Sequence, residues 1–162
     1  MKKFLKVVIF SVTVTMPLLG ADKPVPGPPD LTKTQEVDRT RTYNLGPTGL
    51  RGWIFISADG APVGRLTEKS RQILVTHVGK DTPASGLIEV NDVILGVGGK
   101  PFADDARKCL GYAITEAEKN ENKGILKLLV FRGGETKTIE LKLRVMGTYS
   151  QTAPYKLSLI HI

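Results

Sequence analysis

The sequence predicts an α+β domain of five or six strands, one main helix and one short helix. Three observations carry that prediction. Ile139, Leu141, Leu143 and Val145 alternate with Glu140, Lys142 and Arg144. That period of two gives a strand one buried and one wet face. Between Asp104 and Lys119, the residues Ala106, Leu110, Ala113, Ile114 and Ala117 recur at helical spacing and make one apolar side. Paired glycines, Gly98-Gly99 and Gly133-Gly134, separate apolar runs as hairpin turns do.

The elements follow in order. Lys2, Lys3 and Lys6 precede an apolar stretch from Val7 to Leu19, and small residues Gly20 and Ala21 follow. This is the layout of a secretory signal peptide over residues 1–20, cleaved after Gly20 or Ala21. The alternative is an uncleaved anchor, which would be the chain's only tie to a membrane. The expected location is therefore outside the cytoplasm, periplasmic or secreted. Loss of residues 1–20 removes three lysines and no acid, so the formal charge falls from +7 to +4. Pro24, Pro26, Pro28 and Pro29 then mark a Pro-rich, polar spacer over residues 21–42.

The domain is expected over residues 43–146. Gly46-Pro47-Thr48-Gly49 is a turn, and Trp53-Ile54-Phe55-Ile56 reads as a strand. Ser57–Ser70 is a polar connection. Gln72–Val78 reads as the next strand, and Thr82–Gly86 as one turn of helix or a tight loop. Val93–Val97 is a strand that turns at Gly98-Gly99 into Lys100-Pro101-Phe102. The main helix runs from Asp104 to Lys119, with Asp104 or Asp105 as its cap. Ile125–Phe131 and Thr138–Val145 form a closing hairpin. Its lysines protect an exposed strand face and give no sign of nucleic acid.

The segment Ile73–Phe102 carries a recognisable pattern: Thr82-Pro83-Ala84, Gly86, Val90, Asp92, Ile94 and Lys100-Pro101 in sequence. With the order of elements around it, residues 45–146 resemble a PDZ domain of the bacterial periplasmic-protease type. The resemblance implies a partly open antiparallel barrel or sandwich. The runs LGPTGLRGW, DVILGVGGKPFADDARK and GTYSQTAPY also resemble the start of large exported bacterial proteins. In those, a signal peptide and a PDZ module precede a long helical region. Residues 147–156 would then begin a downstream linker. Leu157–Ile162 translates CTG TCT CTT ATA CAC ATC, the end of a common sequencing-library transposon adapter, and these six residues are expected to come from adapter DNA.

The family binds a peptide, usually a free C-terminus, as an added strand beside one domain strand and the helix. A glycine-containing loop of the form x-Φ-Gly-Φ, with Φ apolar, receives the carboxylate. Leu50-Arg51-Gly52-Trp53 is the candidate here, with Trp53-Ile54-Phe55 opening the binding strand. Arg51 departs from the apolar pattern and either attracts a carboxylate or is solvated. The register Trp53–Ile56 is the alternative, without the glycine. Ala106, Cys109, Leu110 and Ala113 form the helical wall, where core packing competes with pocket lining for the same side chains.

Other chemistries find little support. One cysteine excludes an intrachain disulfide framework and a Cys-rich zinc site. His77 has no metal-like spacing, so no metal and no cofactor are expected. Gly96–Lys100 lacks the spacing of a phosphate loop, and Ser57, Ser70 and Ser85 lack a nucleophile-elbow context. Tyr43, Trp53 and Tyr112 do not interleave with basic residues, so no nucleic acid is expected. The leading expectation is a non-catalytic module binding C-termini or extended segments. One alternative is a regulatory or substrate-delivery module of a larger exported hydrolase. Another is a structural role in which the groove is filled by the protein's own chain.

Overall fold

The computed structural model describes residues 30–32, 37–55 and 71–147. The expected signal segment, most of the Pro-rich stretch, the 57–70 connection and the tail lie outside the described residues. The fold is α+β. Its strands are β1 (Tyr43–Asn44), β2 (Leu50–Trp53), β3 (Ile73–Val78), β4 (Val93–Val97), β5 (Lys100–Pro101), β6 (Ile125–Arg132) and β7 (Glu135–Lys142). They form one antiparallel sheet in the order β1-β2-β3-β4-β6-β7, with β5 also on β4. The sheet is open. Its seven strands exceed the expected five or six by the two-residue β1, which is too short to leave a periodic signal; β5 is the far arm of the expected Gly98-Gly99 turn.

Helix α1 (Ala106–Ala117) is the main helix of the described residues, accompanied by single 3-10 turns at Gly46–Thr48 and Asn120–Asn122. Asp105 caps it: its Oδ1 accepts from the Arg107 backbone N–H at 3.0 Å. Ala106, Leu110, Ile114 and Ala117 are buried and face the sheet, as their spacing requires. Of the two readings of Thr82–Gly86, one turn of helix or a tight loop, the structure has the loop, a run of turns. Ser85 N–H donates to the Thr82 carbonyl, and Leu87 and Ile88 N–H both donate to that of Ala84. One such i→i+4 bond does not propagate.

Adjacent residues of each strand point to opposite faces, and each face has its own apolar cluster. The larger lies under α1 and includes Leu50, Ile73, Val75, Ile94, Leu126, Leu128 and Val130. The smaller, on the other face, is Trp53, Leu74 and Val93, with Phe55, Leu95 and Phe131 packed against it. Leu31 and Val37 pack there too, so the described part of the segment read as a spacer lies on the domain.

The expected strand at 53–56 requires correction. The paired strand is Leu50–Trp53, and Ile54 and Phe55 follow it unpaired. The apolar run mimics a strand, but neighbours on both sides recruit the less strand-prone Arg51-Gly52. The β4–β5 turn at Gly98-Gly99 and the β6–β7 turn at Gly133-Gly134 fall where the sequence puts them.

Candidate functional site

The cleft between β2 and α1 is built from below. Leu50 is 1 % exposed and Leu110 is fully buried, and both belong to the main core with Ala106 and Ile54. Gly52 is demanded by packing: a Cβ there would stand 2.3 Å from Ile73 Cγ2 and 3.1 Å from Leu45 Cδ1. Gly49, at the turn before β2, has φ +79°, and a Cβ on it would run into the Thr82 side chain. Trp53 and Phe55 point to the opposite face, where their rings meet edge to face at 6.4 Å. The structure thus brings Leu50, Gly52, Ile54, Ala106 and Leu110 together and sends Trp53 and Phe55 elsewhere.

Both edges of Leu50–Trp53 carry paired neighbours. On one side β3 pairs in the register Leu50↔Val78 and Arg51↔His77, with an irregularity before Gly52↔Val75. On the other side β1 pairs as Tyr43↔Gly52 and Asn44↔Arg51. Leu45 N–H donates to the Leu50 carbonyl at 3.0 Å and closes this small hairpin.

The turn of the hairpin is locked by Thr48, which is fully buried. Its hydroxyl donates to the Leu45 carbonyl at 2.9 Å and accepts from Leu50 N–H at 3.2 Å. Asn44 Oδ1 accepts from Gly46 N–H at 3.0 Å.

β1 therefore lies between β2 and α1. The Arg107 guanidinium of α1 sits over the Tyr43 ring, 5.6 Å from its centre. One helical stretch further along, a Cβ on Gly46 would touch Ile114 Cδ1 at 3.8 Å. Leu45 has no exposed surface and joins the core cluster that holds Leu110 and Ile114. Arg107 is itself fixed by two further bonds to the buried Asp105 carboxylate, at 3.2 and 3.0 Å. That hydrogen bonding holds the Arg107 guanidinium's pKa above its ordinary value.

Arg51 is exposed and reaches back to β1. Its Nε donates to Thr42 Oγ1 at 2.9 Å and its Nη2 to the Thr42 carbonyl at 3.1 Å. Cys109 and Ala113 are half-buried against the core. Ala113 opens onto a cavity of about 390 Å³ on the other flank of α1, lined also by Val97, Gly98, Glu116, Ile125 and Leu126. The sequence reading missed Thr42, Tyr43, Leu45 and Arg107. The signal for Leu45 was a lone apolar residue just before a Gly-Pro turn, too little to mark a core position. No cluster of three or more His, Cys, Asp or Glu suited to a metal occurs among the described residues. No helix of the described residues is long and apolar enough to cross a membrane. Comparison with protein-family models finds none that matches the chain, and comparison with curated proteins finds no match either.

Proposed function

We propose that this domain is a non-catalytic, PDZ-like binding module of an exported protein. It takes an extended peptide segment or a C-terminus as a strand beside β2. One observation supports this reading above the others: the gap between β2 and α1 accommodates an extended segment, occupied by the chain's own β1. That segment pairs its backbone with β2, puts an apolar side chain into the core and lays an aromatic ring under a helix cation. Those are the ingredients of strand-addition recognition, with backbone pairing for affinity and pockets for specificity.

The test is amide chemical-shift mapping on the full chain, titrated with a library of peptides bearing free C-termini and with the same peptides amidated. Shifts concentrated at Leu45, Leu50–Gly52 and Ala106–Ile114 support the reading. A preference for free carboxylates assigns C-terminal capture, and equal binding assigns extended internal segments. Shifts confined to other surfaces overturn it. The occupied cleft also favours a second reading, a structural domain permanently closed by its own strand.

A further inference from the structure

We infer that β1 is a removable internal occupant of the cleft. The segment that replaces it is an extended chain with an aliphatic side chain in the place of Leu45 and an aromatic one in the place of Tyr43. The inference rests on the peptide-binding reading and adds what keeps the cleft closed and what opens it.

The polarity of β1 is set by both of its neighbours. It runs antiparallel to β2 and in the same direction as α1, with Tyr43 at Arg107 and Gly46 at Ile114. Its backbone attachment is slight. Two residue pairs and the Leu45–Leu50 backbone bond hold it to β2, against eight pairs between β6 and β7. Backbone pairing carries no side-chain preference, so any extended segment of this polarity reproduces it.

The side chains decide what enters. Leu45 is fully buried, so its departure leaves a hole in the core that an incoming aliphatic side chain refills. A partner lacking one at that place does not compensate for the loss. Tyr43 is held from one side by Arg107, which an aromatic residue two positions earlier engages equally.

The fastening is on the surface. Arg51 bonds Thr42 through both its oxygens, and it is exposed. When β1 leaves, Arg107 keeps its bonds to Asp105, while Arg51, exposed on the other face of the strand, loses Thr42. A hydroxyl or acidic residue of the incoming segment in the place of Thr42 then finds Arg51 as its donor. The arginine that breaks the apolar pattern of the loop thus serves the closed state through Thr42 and the open state through the ligand.

The experiment uses the full chain carrying Asn44→Cys and Arg51→Cys. These positions lie directly opposite each other, and both are exposed. Oxidised, the pair locks β1 onto β2, with peptide mapping to verify the bond. Reduced, the same protein lacks the Arg51 clasp. The probe is a fluorescein-labelled Thr-Arg-Thr-Tyr-Asn-Leu-Gly peptide, which copies residues 40–46, read by anisotropy beside amide exchange of Tyr43–Leu45.

Exchange at Tyr43–Leu45 is expected to be faster in the reduced form. The peptide should bind the reduced form at least about tenfold more tightly, the ratio of the open fractions. The peptide with Ala for Leu should bind neither form. Thr42→Ala alone, which removes the Arg51–Thr42 Oγ1 bond from the closed state and leaves Arg51 in place for the Thr of the peptide, should tighten peptide binding relative to the parent chain. Equal peptide affinity in the locked and reduced forms overturns the internal occupant and leaves the peptide-binding reading standing. Slow, equal exchange of Tyr43–Leu45 in both forms also overturns it. Fast exchange in the reduced form with no binding of any library peptide overturns the binding reading, and this inference with it.

Discussion

Arg132 at the end of β6 offers the largest single perturbation the structure supports. Its Nε and Nη2 grip both oxygens of Asp92 at 2.7 and 2.6 Å. Nη1 reaches Glu89 Oε1 at 2.7 Å, and Nη2 also reaches the Leu87 carbonyl at 2.8 Å. Asp92 is 2 % exposed, and its one other side-chain bond shown here comes from Glu89 N–H at 2.8 Å. The arginine thereby joins the 87–92 turn to the closing hairpin. Arg132→Met keeps an apolar stem and deletes the donors, leaving a buried carboxylate with a single N–H.

Asp92 is buried but the Arg132 side chain is 30 % exposed, so breaking the pair costs about 3 kcal/mol, the lower end for buried pairs. The Glu89 contact, whose carboxylate side is 68 % exposed, adds less than about 1 kcal/mol. A domain of this size holds about 5–15 kcal/mol in all, so the loss is a large share of it. At about 4–8 °C per kcal/mol for a domain near 100 residues, the melting temperature should fall by roughly 12 °C or more. Urea denaturation followed by Trp53 fluorescence measures it. The pair Asp92→Asn with Arg132→Met should recover much of the loss, because the orphaned group is then neutral. A loss below about 1 kcal/mol in the single variant, or no recovery in the double one, refutes the reasoning: Asp92 would then behave as a solvated surface carboxylate.

Three further outcomes are open to the same denaturation assay. Gly52→Ala should destabilise by about 1–3 kcal/mol through overpacking against Ile73; a neutral result would mean that β2 and β3 have room to separate. Asp105→Ala removes the α1 cap and the partner of Arg107, and should cost about 1–2 kcal/mol. Glu118 is 8 % exposed, and burial pushes its carboxyl pKa up. The folded state therefore holds that proton at pH values where the unfolded chain has released it. Stability should rise as pH falls from neutral toward the ordinary carboxylate range; Glu118→Gln should be more stable than the parent at pH 7, with the difference shrinking by pH 5.

What could be read from the sequence depended on length and period. α1 shows three turns of apolar spacing and β4 a compact β-branched run, and each stands within two residues of its expected bounds. β6 alternates in burial along its length, while β7 lies three residues earlier than the expected Thr138–Val145, because Glu135–Lys137 pair with β6 without any buried side chain to mark them and Leu143–Val145 leave the strand. β2 was read three residues late because Trp53-Ile54-Phe55-Ile56 has the composition of a strand. Arg51-Gly52 becomes one only through its neighbours, which no local pattern announces. Leu31 and Val37 stand isolated, with only polar residues between them to carry a period, so their packing on the Trp53 face left no trace in the sequence. The walls of the cleft were legible as residue types; the strand between them was not.

The misfit of Arg51 with the apolar loop pattern and the presence of β1 in the cleft explain each other. An apolar residue on this exposed strand position would gain no burial and could not fasten Thr42. An arginine satisfies Thr42 from the solvent side without entering the core, which leaves Leu45 to supply the buried contact. The closed state is then held by one deep aliphatic anchor and one shallow polar clasp. Such a division suits exchange: the clasp is in water, where its loss is cheap, and the anchor is of a kind that an incoming chain can replace in full.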